Sequence, residues 1–424
     1  MVNQEVAETL AASIARGHVD ADVLWAALPT LHECARAPDA HPGWIEFARD
    51  ALLRSSVVGP RLVRVGDVAA LINTENQERT LTPVLNEAAR RRGVRPQIIH
   101  TATLRPSTIM HGWKRCSRLD ADLRAAALEL DITLHAADIR RRLLKAIRGG
   151  LLLHHALRQY DVRTLIVSNQ HLADHRAALR LAHRNGMSTL YVPHAPAASN
   201  DAYRDLPVTA AALRGDFEVR FYADLGARRE RLHSTGNPAF PEVEPPSRLD
   251  GPVVLAVSPW PRERLATVID LVRRGVGQNT TVVVAPHPRS RRSELRRLVP
   301  SGWSIHAGRT LELLQNGPRL LVQHSSGVAW EGLYLGIPTV EIAFNDEAPS
   351  YPLITPPYIT SVRDTDGMRE AVKTPPSQID RSALRAWARR WCASVDGPAA
   401  RKVVDVMEDL PEGGALALDA WSIR

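Results

Sequence analysis

Residues 320–342 read LLVQHSSGVAWEGLYLGIPTVEI, and this stretch decides the fold prediction. The apolar run at 320–322 predicts a buried strand, and 327–335 predicts a helix that a following glycine and proline terminate. A second apolar run at 339–342 predicts another strand. Continuous apolar strands joined by a helix indicate a parallel sheet that helices cover on both faces.

The same alternation extends through much of the chain. Further strands are predicted at 68–72, 97–100, 164–167, 189–192, 253–257, 281–285 and 304–306. Helices are predicted among them at 77–92, 173–185, 263–274, 293–298 and 311–314. A segment rich in proline and charge at 242–251 interrupts the pattern and indicates a linker between two α/β halves.

This pattern predicts an α/β protein with two Rossmann-like domains facing each other across a cleft, together with an extra N-terminal helical segment. The length of 424 residues suits two or three domains. Helical spacing is also present at 119–160 and 382–407. The predicted divisions are a helical segment at 1–58, a first Rossmann-like domain at 59–240, a second at 241–380, and a C-terminal helix and tail at 381–424.

Composition narrows the class of protein. The formal net charge is +8, and nearly all of the positive charge is arginine, because lysine occurs only at positions 114, 145, 373 and 402. Arginine binds phosphate with a planar, two-pronged set of donors, which favours an anionic ligand; a GC-rich genome produces the same bias. Nucleic-acid binding is not predicted, because no basic stripe with interleaved aromatic residues occurs.

The sequence also bears on the compartment and on metal binding. It has no run of about 18 uncharged apolar residues, and residues 1–10 lack the basic start and apolar core of a signal peptide. We therefore expect a cytoplasmic protein without a transmembrane segment. The three cysteines, Cys34, Cys116 and Cys392, are too far apart for a paired-cysteine metal site, and no metal site is predicted.

In open parallel sheets, ligands bind beyond the carboxyl ends of the strands, so the residues that directly follow strands are the candidates for function. After strand 320–322, Ser325 or Ser326 could cap the next helix, whose free N–H groups attract anions. Gly327 would let a ligand approach the backbone, and Glu331 could accept two sugar hydroxyls. An ordinary capped turn is the alternative for the serines.

Three other strand ends carry polar residues next to prolines. Flanking prolines fix the direction of His287, and Arg289 adds a phosphate-binding group. His194 has a side chain whose ordinary pKa suits a general base. Ser258 and Arg262 could reach phosphate oxygens. A rigid proline turn or a structural histidine is the alternative at each place.

Several common motifs are absent from the sequence. It contains no GxxxxGK loop and no GxGxxG after a predicted strand. The DxD spacings at 120–122 and 364–366 lack an apolar strand before them. These absences disfavour a nucleoside triphosphatase, a dinucleotide oxidoreductase and a metal-dependent transferase.

Four segments, taken in order, resemble the GT-B glycosyltransferases with two Rossmann domains. They are VPHAP (192–196), HSTGNP (233–238), APHP (285–288) and HSSGVAWEGLYLGIPTVE (324–341). The polysialyltransferase-like and CDP-glycerol glycerophosphotransferase-like groups are the most similar in motif order. The UDP-N-acetylglucosamine 2-epimerases share the TGNP, HP and Ser-Gly-Gly…Glu layout and are the competing resemblance. The likeness covers about residues 185–345.

The resemblance implies a role for each matched residue. His287, Ser325 and Ser326 would hold the phosphates of the donor, and Glu331 would bind its ribose. His194 stands where the glycerophosphotransferase-like group has its base. Those families place glycine after that histidine, whereas Ala195 follows it here.

The predicted activity is transfer of a sugar, or a similar group, from a nucleotide-sugar donor to an acceptor hydroxyl, with inversion and without an obligatory metal or cofactor. The acceptor would be a small molecule, a glycan or a lipid-linked compound in carbohydrate biosynthesis of the bacterial type, and the prediction is compatible with a homodimer. One alternative is an epimerase, for which Glu75 and Asp201 are candidate acids in the first domain. The other is a non-catalytic nucleic-acid-binding or scaffold protein.

Overall fold

The architecture is seen in a computed structural model of the chain. It describes residues 65–93, 95–100, 161–197, 206–240, 243–287, 290–324, 326–344, 359–373, 380–392 and 398–411. The helices predicted in 1–58 and 119–160, and the predicted tail beyond residue 411, lie outside the described residues.

Six parallel strands form the first sheet, in the order β2-β1-β3-β4-β5-β6. Every residue of β3, β4 and β5 is buried, as expected of strands that helices cover on both faces. The elements of this half are β1 (Val65–Ile72), α1 (Glu75–Arg92), β2 (Arg95–His100), β3 (Thr164–Val167), α2 (Ala173–Arg184), β4 (Ser188–Tyr191), β5 (Ala210–Leu213), α3 (Asp216–Asp224) and β6 (Leu232–Ser234).

Six more parallel strands form the second sheet, in the order β12-β11-β10-β7-β8-β9. This is a doubly wound order, in which the chain reverses its direction of travel between the central strands β7 and β10. The elements are β7 (Gly251–Val257), α4 (Arg262–Val276), β8 (Val282–Pro286), α5 (Arg292–Leu298), β9 (Ser304–Ile305), α6 (Thr310–Gln315), β10 (Pro318–Gln323), α7 (Val328–Tyr334), β11 (Thr339–Ile342), β12 (Ile359–Val362), α8 (Thr365–Lys373), α9 (Arg381–Cys392) and α10 (Ala399–Glu408).

Strand β7 shows why its sequence forms the centre of a two-faced sheet. Val253, Leu255 and Val257 point to one face and join an apolar cluster with α4 and α8. Val254 and Ala256 point to the other face and join a cluster with α7 and α9. Because successive side chains of a strand alternate between faces, a strand buried on both faces is apolar at every position.

The ends of α1 follow ordinary capping chemistry. Thr74 Oγ1 accepts a hydrogen bond from the Gln77 N–H at 3.3 Å, and Gly93 closes the helix in the left-handed region with a φ of 67°. The helix predicted at 77–92 is therefore confirmed and begins two residues earlier, at Glu75.

The C-terminal helical prediction at 382–407 is wrong in one respect, because the structure divides it into two helices. Pro398 stands at the N-cap of α10, where its lack of an N–H group does no harm. Arg91 of α1 pairs with Asp405 at 2.7 Å and with Glu408 at 2.8 Å. Helix α10 also packs on the apolar cluster of the first sheet, so the chain crosses back from the second half.

Five elements had no counterpart in the sequence prediction, namely β5, α3, β6, β12 and α8. Strand β5 consists of three alanines and a leucine, which have little intrinsic preference for strands. It forms because both neighbouring strands pair with it inside the sheet.

Aromatic packing joins the two halves. The ring of Phe217, on α3, lies 5.6 Å from the Trp330 ring on α7, and Trp387 of α9 stacks on Trp330 at 6.0 Å between centroids. Arg390 Nε donates to Asp216 Oδ2 at 3.1 Å beside them. Helices of both halves are thereby held together where the carboxyl ends of the two sheets approach each other. None of the helices in the described ranges has the length and apolar character needed to cross a bilayer.

Candidate active site

The candidate site is the space between two sets of loops, which we call the strand-end crevice. One wall consists of the residues that follow β3, β4 and β5, and the other of those that follow β7, β8 and β10. Pro196, after β4, meets Gly327, after β10: a Cβ placed on Gly327 would lie 3.4 Å from Pro196 Cδ. The two strand-end edges therefore face each other at contact distance.

Three predicted donor-binding residues lie along one edge of the second sheet. Ser258 follows β7, His287 follows β8 and Ser326 follows β10. The His287 N–H donates to the Val257 carbonyl at 3.0 Å, which ties the two loops together. Since β7 separates β8 from β10, and neighbouring strands lie about 4.8 Å apart, the strands that lead to His287 and Ser326 are roughly 10 Å apart.

A buried amide positions the Ser326 loop. Gln323, at the end of β10, is completely buried, and its Nε2 donates to Glu341 Oε2 at 3.3 Å. Its Oε1 accepts the Ser326 N–H at 2.9 Å. The serine backbone is thus fixed from inside the sheet, and the hydroxyl is not needed for that purpose.

His324 has a structural role in the same loop. Its Nδ1 donates to the Ile342 carbonyl at 2.6 Å, because a carbonyl oxygen can only accept. The ring packs against Trp260 at 5.7 Å and Phe344 at 4.7 Å between centroids. These contacts join the ends of β10 and β11 to the loop after β7.

The helix after Ser326 is shorter than predicted. It spans Val328–Tyr334, with Gly327 at the N-cap in a right-handed conformation, in place of the predicted 327–335. The Ser326 hydroxyl accepts the Val328 N–H at only 3.4 Å, which is a weak capping bond. Ser325 lies outside the described residues. A seven-residue helix has a small dipole, so any anion at this end depends mainly on side chains and loop N–H groups.

Glu331 lies in α7 and is half-buried. Burial raises the pKa of its carboxyl, and the positive charges of Arg214, Arg79 and Arg309 partly offset that effect. Arg79 belongs to α1 and Arg214 follows β5, so this carboxyl lies within electrostatic reach of the opposite wall.

His194 follows β4 on that opposite wall. Its Nδ1 lies 2.5 Å from the Ser168 carbonyl oxygen, and its own N–H donates to the same oxygen at 3.4 Å. Burial lowers the pKa of the imidazole and the charge of Arg214 lowers it further, against the opposing effect of the Ser168 bond. The ring is therefore neutral at physiological pH, with Nε2 free of this contact.

Glu218 connects the two loops that carry His194 and Arg214. Its Oε1 accepts the Ala197 N–H at 3.1 Å, and its Oε2 accepts the Arg214 N–H at 2.9 Å. The side chain is 2% exposed, and burial raises the pKa of the carboxyl. Sequence reasoning missed this residue, because its helix α3 was not predicted.

Arg214 is the second residue of the site that sequence reasoning missed. It directly follows β5 and is 8% exposed. Its Nε and Nη1 atoms have no hydrogen-bond partner among the described residues. Its position directly after a buried strand could have identified Arg214 from the sequence. That would have required recognising β5 as a strand although three of its four residues are alanine.

Polar side chains also meet at the ends of β1 and β3. Asn73 Nδ2 donates to Asp174 Oδ2 at 2.7 Å, and the Asn73 N–H donates to Gln77 Oε1 at 2.6 Å. The other oxygen of Asp174 accepts the His175 N–H at 3.1 Å. Asn73 and Asp174 are 101 residues apart in sequence, so only the fold brings them together.

Not all of the predicted residues join this arrangement. Arg262 is exposed at the first residue of α4, and no described contact links it to His287 or Ser326. Arg289 and Asp201 lie outside the described residues, and Glu75 is exposed at the start of α1. Within the described part of the chain, no group of three or more His, Cys, Asp or Glu side chains could hold a metal ion.

Comparisons with known proteins place the fold. No protein-family model and no curated protein match the sequence significantly. The UDP-GlcNAc 2-epimerase of Methanocaldococcus jannaschii, solved with UDP-GlcNAc and UDP, is similar over 80% of this chain and 99% of that chain, with a TM-score of 0.52 and 13% identity. The kitacinnamycin glycosyltransferase is similar over 83% of this chain and 100% of that chain, with a TM-score of 0.52 and 16% identity. CalG4, the calicheamicin glycosyltransferase, is similar over 82% of this chain and 100% of that chain, with a TM-score of 0.51 and 16% identity.

The chain has the GT-B fold. The predicted architecture of two Rossmann-like halves is confirmed by its two doubly wound parallel sheets and by these similarities. Identities of 13–16% show a shared fold and do not distinguish a transferase from an epimerase. The activity must therefore be argued from the strand-end crevice.

Proposed function

We propose that the protein is a glycosyltransferase that moves a sugar, or a similar group, from a nucleotide-activated donor to an acceptor hydroxyl. One observation carries the proposal: the loop with His194 lies against the loop with Ser326, through the contact between Pro196 and Gly327. A candidate base and the candidate donor loops therefore line a single crevice. Holding two reactants side by side in this way is the main requirement of group transfer.

The donor would bind along the edge formed by the ends of β8, β7 and β10. His287 and Ser326 follow strands that are roughly 10 Å apart, and the resemblance to GT-B families assigns these positions to the phosphates. Glu331, in its ionised form, would accept the two ribose hydroxyls. Hydrogen-bond donors aimed at the departing diphosphate, with Arg289 among them, would stabilise its charge without an obligatory metal.

His194 would act as the base. Its neutral ring carries the proton on Nδ1, so Nε2 can accept the proton of the acceptor hydroxyl. The hydroxyl oxygen then bonds to the anomeric carbon as the bond from that carbon to the diphosphate oxygen breaks. With the base and the leaving group on opposite walls, a single displacement inverts the anomeric centre.

Epimerisation is the competing activity, because an epimerase shares the fold. An epimerase requires acidic catalytic residues in the first half. The two buried acids that the structure describes there accept structural hydrogen bonds. Asp174 accepts from Asn73 and His175, and Glu218 accepts two backbone N–H groups. Within the part of the first half that the structure describes, their structural engagement favours transfer over epimerisation.

The test begins with thermal stabilisation by CMP-, CDP-, GDP-, TDP- and UDP-linked sugars, followed by product analysis with candidate acceptors. We expect release of nucleotide only when an acceptor is present, with the sugar recovered on that acceptor. Free nucleotide with an altered sugar, formed without an acceptor, would show an epimerase. Binding of nucleic-acid duplexes that weakens steeply with salt would support the non-catalytic alternative.

The role of His194 as the base is tested by comparing His194→Ala with a control variant. His194→Ala should lower kcat by about 10²–10⁴-fold while leaving thermal stabilisation by the donor intact. His183→Gln is a matched control, because His183 lies at the end of α2 and contacts Thr189 near the beginning of β4. The carboxyl end of the same strand leads to His194. Unchanged turnover in His194→Ala would remove the base assignment.

A further inference from the structure

Arg214 is a buried cation with unused donors. Its side chain is 8% exposed, and Nε and Nη1 have no hydrogen-bond partner in the described part of the chain. Buried charged groups are normally paired and hydrogen-bonded, because removing them from water is costly. Nε–H lies beside Nη2–H in a guanidinium, and these two groups form the fork that binds one oxyanion with two parallel hydrogen bonds, as Arg90 does with Glu87.

The carboxylate of Glu218 does not use these donors. Both carboxylate oxygens of Glu218 accept backbone hydrogen bonds, one from the Ala197 N–H and the other from the Arg214 N–H. It therefore fixes the backbone of Arg214 and contributes negative charge, without occupying Nε or Nη1. Within the described residues, no ion pair joins Arg214 to Glu331 on the opposite wall either.

The position of Arg214 relates it to both walls of the crevice. Its charge acts on both His194, the candidate base, and Glu331, on the donor side. Through Glu218, the Arg214 backbone is tied to Ala197, which follows Pro196, and Pro196 contacts Gly327 of the opposite wall. Arg214 therefore lies beside the place where the two walls meet. In the proposed reaction, the bond from the sugar to the diphosphate breaks where the two walls meet.

We propose that Arg214 is an anion-binding residue that holds the diphosphate of the donor from the first-sheet wall of the crevice. This inference rests on the proposed function and adds a residue that neither the sequence motifs nor the resemblance assigns. The diphosphate is then bound from both walls, by His287 and the Ser326 loop on one side and by Arg214 on the other. A donor that bridges the walls would hold the two halves closed around the reacting bond.

The test measures binding of inorganic pyrophosphate and of UDP, CDP, GDP and TDP by calorimetry. We expect Arg214→Gln to weaken binding of pyrophosphate and of the preferred nucleotide by about ten- to a hundredfold. Arg214→Lys should recover part of the loss, since it restores the charge without the fork. Arg220→Gln is the control: it removes the same charge from the exposed side of α3.

A second measurement separates binding from a merely structural role. Removal of the Arg214 charge should raise the pKa of His194, so the acidic limb of kcat/KM in Arg214→Gln should move to higher pH than in the wild type and in Arg220→Gln. A loss of folding alone would lower the active fraction without moving the limb.

The outcomes distinguish this inference from the proposed function. Wild-type protein that binds neither pyrophosphate nor any nucleoside diphosphate would contradict both. Nucleotide binding that Arg214→Gln leaves unchanged would overturn the role of Arg214 alone. An Arg214→Gln variant with unchanged nucleotide affinity and a raised KM for the acceptor would assign the fork to an anionic acceptor, and would also overturn the inference as stated.

Discussion

At His194, the partner of one ring nitrogen determines which nitrogen is left for chemistry. The Ser168 carbonyl can only accept a hydrogen bond, so the short contact places the proton of the neutral ring on Nδ1. A base needs a lone pair, and Nε2 supplies it. The same burial that lowers the pKa of the ring keeps it unprotonated and ready to accept a proton at neutral pH.

The pH dependence of turnover tests this state of His194. Below its pKa the ring is protonated and cannot act as a base, so kcat/KM should fall with decreasing pH. Because burial and Arg214 lower that pKa from its ordinary 6.5, we expect the acidic limb below pH 6.5. His171 and Arg214 are the charged or titratable neighbours that bear on this limb. A limb centred above pH 6.5 would contradict the assignment.

Single residues also show how far sequence reasoning reached. His194, His287 and Ser326 could be chosen in advance, because each lies just beyond a strand end that continuous apolar residues mark, and Glu331 because it lies in the helix that follows Ser326. Arg214 follows three alanines and a leucine, which local preference does not identify as a strand. Only its pairing with both neighbouring strands makes β5 a strand and its next residue part of a site.

Among the elements, α7 controls the position of the donor loop. Gly332 lies where this helix touches the sheet: a Cβ there would lie 2.7 Å from Leu321 Cδ2 and 3.0 Å from Thr339 Oγ1. The missing side chain lets α7 pack directly on β10 and β11. Ser326 and Glu331, before and within α7, depend on that close approach.

Substitution of Gly332 should therefore affect both stability and binding. We expect Gly332→Ala to lower the free energy of unfolding by about 1–3 kcal/mol, because the methyl group would force the buried side chains of Leu321 and Thr339 to shift. Gly367→Ala, in α8, is the control, since its Cβ would meet Asp364 Oδ1 at 3.4 Å, an ordinary contact. Chemical denaturation measures both variants, and a Gly332→Ala variant as stable as Gly367→Ala would contradict the packing argument.

Some strands and helices were predicted accurately from the sequence and others were not, and the difference has physical causes. Strands such as β3 and β11 matched their predictions residue for residue, because uninterrupted apolar runs between helices have few alternative structures. The break between α9 and α10 was missed although Pro398 marks it, since the apolar spacing continues on both sides. The second of these helices packs on the first sheet, a contact that no local pattern contains.

The whole molecule is held together at the crevice by contacts between its halves. Trp330 lies between Phe217 and Trp387, and α10 returns to the first sheet after the second is complete. Contacts of this kind position the two walls relative to each other. They make the geometry of the crevice a property of the complete chain.

Stability of the whole molecule should fall in mild acid. Burial lowers the pKa of His171 and of His183 to about 4, from an ordinary 6.5 in the unfolded chain. Between these values the unfolded state binds protons at the two histidines that the folded state does not, so their contribution to the free energy of unfolding decreases as pH falls from 6.5 toward 4. Thermal denaturation of the wild type and of His183→Gln over this range measures the effect. His183→Gln should show a shallower decrease than the wild type, and the same pH dependence in both would contradict the prediction.

The central claim is that the loops carrying His287 and Ser326 bind one diphosphate. Calorimetric titration of the wild type, His287→Ala and His183→Gln with UDP, CDP, GDP and TDP tests it most directly. We predict that at least one nucleotide binds the wild type and His183→Gln equally, and that His287→Ala binds it about tenfold or more weakly, since a hydrogen bond to a charged group contributes about 1.5–3 kcal/mol. An unchanged dissociation constant in His287→Ala, or no binding of any nucleoside diphosphate to the wild type, would contradict the claim.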